Sequence, residues 1–195
     1  MATNRSRIVD RHIAALKSIE GKRVEAGWFE SDRYIGEGGE PGVRVSEIAR
    51  LNEYGGTINH PGGTKYITDA IVMRRREARF VGTRFVSNEF EGEHKVTAPH
   101  VITIPARPFM RLAHTTFRAA IRDLQVRLAR KIVDGQITPE QALGQIGEAM
   151  VGHIMKSIKT GPWIRNAPST VSRKGFDKPL IDTSHMFQTV NSKVY

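Results

Sequence analysis

Apolar residues along this chain recur at helical spacing in some stretches and at strand spacing in others. Ile8, Ile13, Leu16 and Ile19, with charges between them across residues 5–20, predict a short amphipathic helix closed by Gly21. From Lys22 to Phe29 the period drops to two. Val24, Ala26 and Trp28 alternate with Arg23, Glu25 and Gly27, as in a half-buried strand. Residues 36–42, which hold four glycines, read as a flexible loop. Val45, Ile48, Ala49 and Leu51 then form the inner face of a second short helix stopped at Gly55. His60-Pro61-Gly62-Gly63 is a turn. From Lys65 to Ile104 the residues are β-branched and aromatic, broken by small turns, with Asn88–Glu93 read as an acidic hairpin tip.

The longest helix is expected from about Pro108 to Val133. Phe109, Ala113, Phe117, Ala120, Leu124 and Leu128 make one core-facing stripe, with Phe117 and Leu124 buried at its middle. At roughly 100° per residue, Arg107, Arg111, Arg118 and Arg122 fall in a narrow stripe well away from it. Thr138-Pro139-Glu140-Gln141 carries a capping box and opens another helix, whose core stripe is Leu143, Ile146, Met150, Ile154 and Ile158. Gly144, Gly147 and Gly152 lower its helicity but allow a close approach to another element. Gly161-Pro162 ends it. A polar loop over 165–178 follows, then a cap at Asp182-Thr183-Ser184 for a last short helix, and a closing strand over 192–195. The pattern predicts an α+β chain: a small antiparallel sheet packed by a long helix and shorter helices. A β-rich insertion over residues 60–104 would project as a hairpin or arm from a single domain of 195 residues.

Composition narrows the chemistry. The absence of cysteine removes disulfide scaffolds, Cys-ligated zinc and thiol catalysis, and it fits a reducing compartment. No run of about 18 apolar residues is present, so no membrane span is expected. The start of the chain has no apolar core of a secretory signal. The net charge of +10 points to polyanions or acidic protein surfaces as partners. That charge is segregated: residues 62–86 carry +4 and 101–135 carry +5, whereas 30–53 carry −3 and 87–100 carry −2. Arg74, Arg75, Arg76 and Arg79 form the densest cluster, suited to phosphate contact or to docking on an acidic neighbour.

Catalytic and cofactor patterns are weak throughout. The seven histidines are scattered without metal-ligand spacing. The glycine loop is acidic and lacks the lysine that ends a phosphate loop. Asp182, Ser184 and His185 are too close in sequence to adopt triad geometry. Glu47 and Glu53, six residues apart on a short helix, do not share a face for paired acid–base work. No catalysis, metal or cofactor is expected.

Four stretches in order, however, resemble the tail-completion family of tailed double-stranded DNA bacteriophages, the neck or head–tail joining proteins also grouped with minor tail protein Z. They are the helix from Val45 to Gly56 ending in Glu53-Tyr54-Gly55, the segment Ile104-Pro105-Ala106-Arg107-Pro108-Phe109-Met110-Arg111, the segment from Asn166 to Gly175, and the segment from Lys178 to Met186. The β block over 60–104 lies outside the resemblance. The resemblance implies a structural virion protein at the head–tail junction, assembled in the host cytoplasm. It would form a homo-oligomeric ring between the connector or portal and the tail terminator or tube, with non-specific contact to genomic DNA in the lumen. A tail terminator, or a basic nucleic-acid-binding module acting through its arginine stripes, is the alternative. Within a ring, Arg107, Arg111, Arg118 and Arg122 would face an acidic neighbour, the lumen or solvent, with Glu47 and Glu53 as the acidic partners.

Overall fold

The computed structural model describes residues 4–36, 39–74 and 77–195. In chain order these form α1 (Asn4–Lys17), β1 (Val24–Gly27), β2 (Arg33–Ile35), β3 (Pro41–Arg44), α2 (Val45–Tyr54), β4 (Gly56–His60), β5 (Lys65–Arg74), β6 (Glu77–Phe85), β7 (Lys95–Val96), β8 (His100–Ile104), α3 (Phe109–Val133), α4 (Pro139–Thr160), α5 (Pro168–Lys174), α6 (His185–Gln188) and β9 (Asn191–Val194). The chain is α+β, with small antiparallel sheets and one long helix.

The short connection after Val133 folds α4 back along α3, and these two helices make the main helical contact. The capping box closes as predicted. Gln141 N donates to Thr138 Oγ1 at 3.2 Å, and Thr138 N donates to Gln141 Oε1 at 2.9 Å. One core gathers Val45 and Ala49 of α2, Phe109 and Ala113 of α3, Ile154 and Ile158 of α4, and Met186 and Val190 near the C-terminus. Trp28 meets the Phe109 ring edge-on at 5.8 Å and donates its indole N–H to Met186 O at 2.9 Å. A second, smaller core joins Leu128, Ile132 and Ala142 to Ala15 within α1 and Ile19 just after it. The expected stripe on α3 is therefore split. Phe117 and Leu124 are half-buried, not buried: Phe117 lies between the two cores, and Leu124 packs at the margin of the second. The Phe117 ring meets the His153 ring in a T-shaped contact at 5.8 Å.

The closing strand is present: β9 pairs antiparallel with β1, Val24 opposite Val194 and Gly27 opposite Asn191. The helix seated on this pair is α4. Gly147 makes the fit, because a Cβ there would stand 2.6 Å from Ser192 Oγ and 2.9 Å from Val24 Cγ2. The glycine-rich stretch is less loose than its composition suggests. It joins β2 to β3 in a hairpin, with Arg33 opposite Arg44 and Gly36 N bonded to Glu40 O at 2.8 Å. Glu37 and Gly38 fall outside the described residues.

The insertion is rooted in β4 and β8, which pair from Gly56–Ile104 out to His60–His100. Beyond them β5 and β6 pair over nearly their whole length. Ten residues of strand make β5 roughly 30 Å long. One unpaired residue on each strand, near Ala70 and Gly82, interrupts the ladder, and the two offsets cancel, so the register resumes at Ile71–Phe80. The outermost pair of this hairpin is Arg74–Glu77, so Asn88–Glu93 is not its tip. The acidic segment lies at the opposite end, where Lys65 Nζ holds the carbonyls of Asn88 at 2.7 Å and Phe90 at 3.1 Å, and β7 pairs with the start of β5. The tip of this arm is thus basic by sequence and its foot is acidic.

Candidate functional site

Glu53, at the end of α2, is 4% exposed and points at the start of α3. Its carboxylate accepts from Met110 N at 2.7 Å, Arg111 N at 3.3 Å and Arg111 Nε at 3.0 Å. Helix N-termini leave backbone N–H groups unpaired and favour negative charge, so Glu53 caps α3 from a distant part of the chain. Gly55 adopts φ +71, and a Cβ there would meet Ile104 O and Ala106 N at 2.7 Å. Glu53-Tyr54-Gly55 and the 104–111 segment are therefore two halves of one packed joint.

Arg107 extends that joint. It precedes α3 and is 7% exposed, so it does not belong to the exposed arginine stripe. Its Nε donates to Ile164 O at 3.1 Å and one terminal nitrogen reaches Asn52 Oδ1 at 3.4 Å, while its backbone N donates to Asn52 O at 2.7 Å. Burial pushes its pKa below the usual guanidinium value, and the nearby Asp177 carboxylate opposes that. Asp177 in turn accepts from Asn166 N at 3.1 Å and pairs with Arg165 Nε at 2.9 Å. Burial lowers the Lys174 pKa, Asp182 raises it, and Arg107 and Arg173 lower it further. Asn52, Asn166 and Asp177 were not foreseen as contributors; their only signal was their position inside or beside the four resembling stretches. One expected helix cap is weak. Thr183 Oγ1 accepts from His185 N at 3.4 Å, and Ser184 adopts φ +64 without a side-chain cap. A short helix, α5, occupies the expected polar loop, opened by Pro168 and closed by Gly175 in the left-handed conformation.

Between β1, α2 and α3 runs an open groove of about 830 Å³. Trp28, Ala49 and Met110 give it an apolar wall, while Arg50, Arg111 and His114 bring positive or protonatable groups to it. Arg111 is 63% exposed yet fixed, by Glu53 on one side and the Tyr54 ring 5.7 Å away on the other. Arg118 and Arg122 are exposed further along α3. Three of the four expected stripe members thus lie on one helix surface. Of the two proposed acidic partners, Glu47 is exposed, whereas Glu53 is buried and already bonded within its own chain, so it cannot serve a neighbour.

Arg74 and Arg79 lie on β5 and β6 flanking the arm's turn, opposite Glu77 and Val72. Arg75 and Arg76 fall outside the described residues. At the foot of the arm, Tyr66, Phe85, Val96 and His100 line a second cavity of about 480 Å³, with Phe85 and Val96 more than half exposed. Among the described residues, no three His, Cys, Asp or Glu side chains are placed to hold a metal ion. No described helix is long and apolar enough to cross a membrane. No family model, curated protein or solved structure matches the chain.

Proposed function

We propose that the chain is a structural subunit of a bacteriophage head–tail junction, a neck or tail-completion protein that assembles into a closed ring between connector and tail. The observation that carries this reading is the joint around Glu53 and Arg107. The four stretches that resemble the family are not scattered over the fold. Glu53 caps the helix begun by the 104–111 segment, Arg107 ties that segment to Asn52 and Ile164, and the 166–186 region packs beside it through Asp177 and Met186. Contacts of this kind serve a scaffold: they hold helices and chain segments together.

The arm supports assembly. A hairpin of two strands is marginal in water unless a further surface covers it. Strands β5 and β6 pack chiefly on each other and on β7, and Ile58, Phe85, Val96, Val101 and Ile102 of the insertion are exposed. A neighbouring subunit would cover that apolar surface. The exposed arginines of α3 suit a neighbour or, second to that, a DNA-lined lumen.

Imaging of the purified protein by electron microscopy, beside native mass measurement, tests the proposal. Closed rings of uniform copy number, and matching density at the neck of an imaged virion, are expected. A protein that stays monomeric and binds DNA with a steep salt dependence would instead support the basic nucleic-acid module.

A further inference from the structure

We infer that the groove between β1, α2 and α3, with the Arg118–Arg122 surface that continues it, receives the Ser87–His94 loop of a second copy of this chain. The inference rests on the ring reading and names the contact that would close it. The two surfaces are complementary in charge and in form. Arg50, Arg111 and His114 line the groove, and Arg118 and Arg122 extend the positive surface along α3. The eleven helical steps from Arg111 to Arg122 cover about 16 Å, a span that an eight-residue loop can lie against. Arg111 is held in place before any partner arrives, so little ordering is required of it.

The loop is equally prepared. Glu89, Glu91 and Glu93 are all exposed, and none forms an ion pair among the described residues. Its backbone is fixed by Lys65 Nζ on the carbonyls of Asn88 and Phe90, and by His94 Nδ1 within 2.7 Å of Gly92 O. The Phe90 ring lies across Gly92, where a Cβ would approach it to 2.5 Å, and meets His94 edge-on at 6.2 Å. The result is a compact acidic knob with no cation paired to its carboxylates among the described residues. In the protomer this knob bonds to Lys65 and to itself and takes no part in lining the groove. Groove and knob are different patches, as a heterologous contact requires, and such a contact generates rings when the rotation closes. The apolar wall of Trp28, Ala49 and Met110 favours a protein segment that brings an aromatic ring with its carboxylates over a bare phosphate chain.

Charge reversal in both partners tests the contact. One variant carries Glu89→Lys, Glu91→Lys and Glu93→Lys, a second carries Arg118→Glu and Arg122→Glu, and a third combines them. All five side chains are exposed, so circular dichroism should show unchanged folding. Light scattering and native mass measurement across a salt series should show that each set weakens self-association by about tenfold or more and that the combination largely restores it. If either set leaves association intact, or the combination fails to restore it, the loop contact is overturned. If wild-type rings persist in the loop variant, the ring reading survives without this contact. If the wild-type protein stays monomeric at its highest soluble concentration, the contact fails too, and neck density in virions then decides the ring reading separately. If the arginine variant assembles normally but loses retention of short DNA duplexes, the α3 surface belongs to nucleic acid.

Discussion

Glu53 shows how a single side chain sets the geometry of the joint. It offers its carboxylate to two backbone N–H groups of α3 and to Arg111, and it is nearly inaccessible to water. Replacing it with Ala leaves those donors unpaired in a dry place. Glu53→Ala is expected to lower stability by about 2–3 kcal/mol in denaturant titration. Arg111→Ala should lower it by less than about 1 kcal/mol, because Arg111 is largely solvated and the backbone N–H groups still hold the carboxylate. Equal losses in the two variants would show that the ion pair, not the cap, carries the effect. The amphipathic pattern placed Glu53 on a helix but could not show that its partner was the start of α3, which begins 56 residues later. Arg107 misled for a related reason. Helical phase extended two residues too far assigns it to the exposed stripe, whereas Pro108 keeps it outside the helix and inside the protein.

At the scale of elements, α4 provides the sharpest contrast. Gly144 and Gly152 have open space where a Cβ would stand, whereas Gly147 faces Ser192 and Val24 across the β1–β9 pair. Gly144→Ala and Gly152→Ala should each stabilise by about 0.5–1 kcal/mol through helix propensity. Gly147→Ala should destabilise by about 1–2 kcal/mol, since the helix must lift from the sheet or Ser192 must move. Thermal melts of the three variants check the signs. The first turn of α4 also carries a pH response. Lys22 Nζ lies 2.7 Å from Glu140 Oε1 and holds that carboxyl at about 2, down from an ordinary value of 4.5. A lowered folded-state value means the contribution is complete above pH 4.5 and is lost as pH falls towards 2. Glu140→Gln should flatten the acid side of the melting-temperature profile in that window and leave the neutral side parallel to wild type.

For the whole molecule, the insertion separates folding from assembly. His60 and His100 are opposite each other at the outer end of β4 and β8, so a two-residue turn such as Asn-Gly can join them. Replacing residues 61–99 in this way removes the arm and keeps both cores, none of whose members lies in that stretch. The shortened protein is expected to remain soluble, to keep its helical circular dichroism and its cooperative unfolding, and to lose self-association by native mass measurement. Outright unfolding would show that the arm belongs to the core. A shortened protein that still forms rings would remove the arm from the assembly interface.

The sequence by itself determined the features that depend on neighbours in the chain. The α2, α3 and α4 helices follow from apolar spacing, and the start of α4 from its capping box. The β character of 65–104 follows from β-branched and aromatic runs, and the closing strand was also legible. Tertiary structure decided the features that depend on residues far apart. The acidic turn at 88–93 reads as a tip because local turn chemistry marks a turn without saying which strands it joins; pairing of Arg74 with Glu77 shows that it is not the tip of the arm. The apolar stripe marks Phe117 and Leu124 as buried, whereas both are half-buried: a stripe records which face is apolar, and along that face Phe117 falls between the two cores while Leu124 only borders the second. Arg107 and Glu53 were assigned to the surface, since most charged residues belong there. A charge is buried only where distant groups bond it, and the partners that bury these two, Asn52, Ile164 and the first turn of α3, are brought together only when the chain has folded.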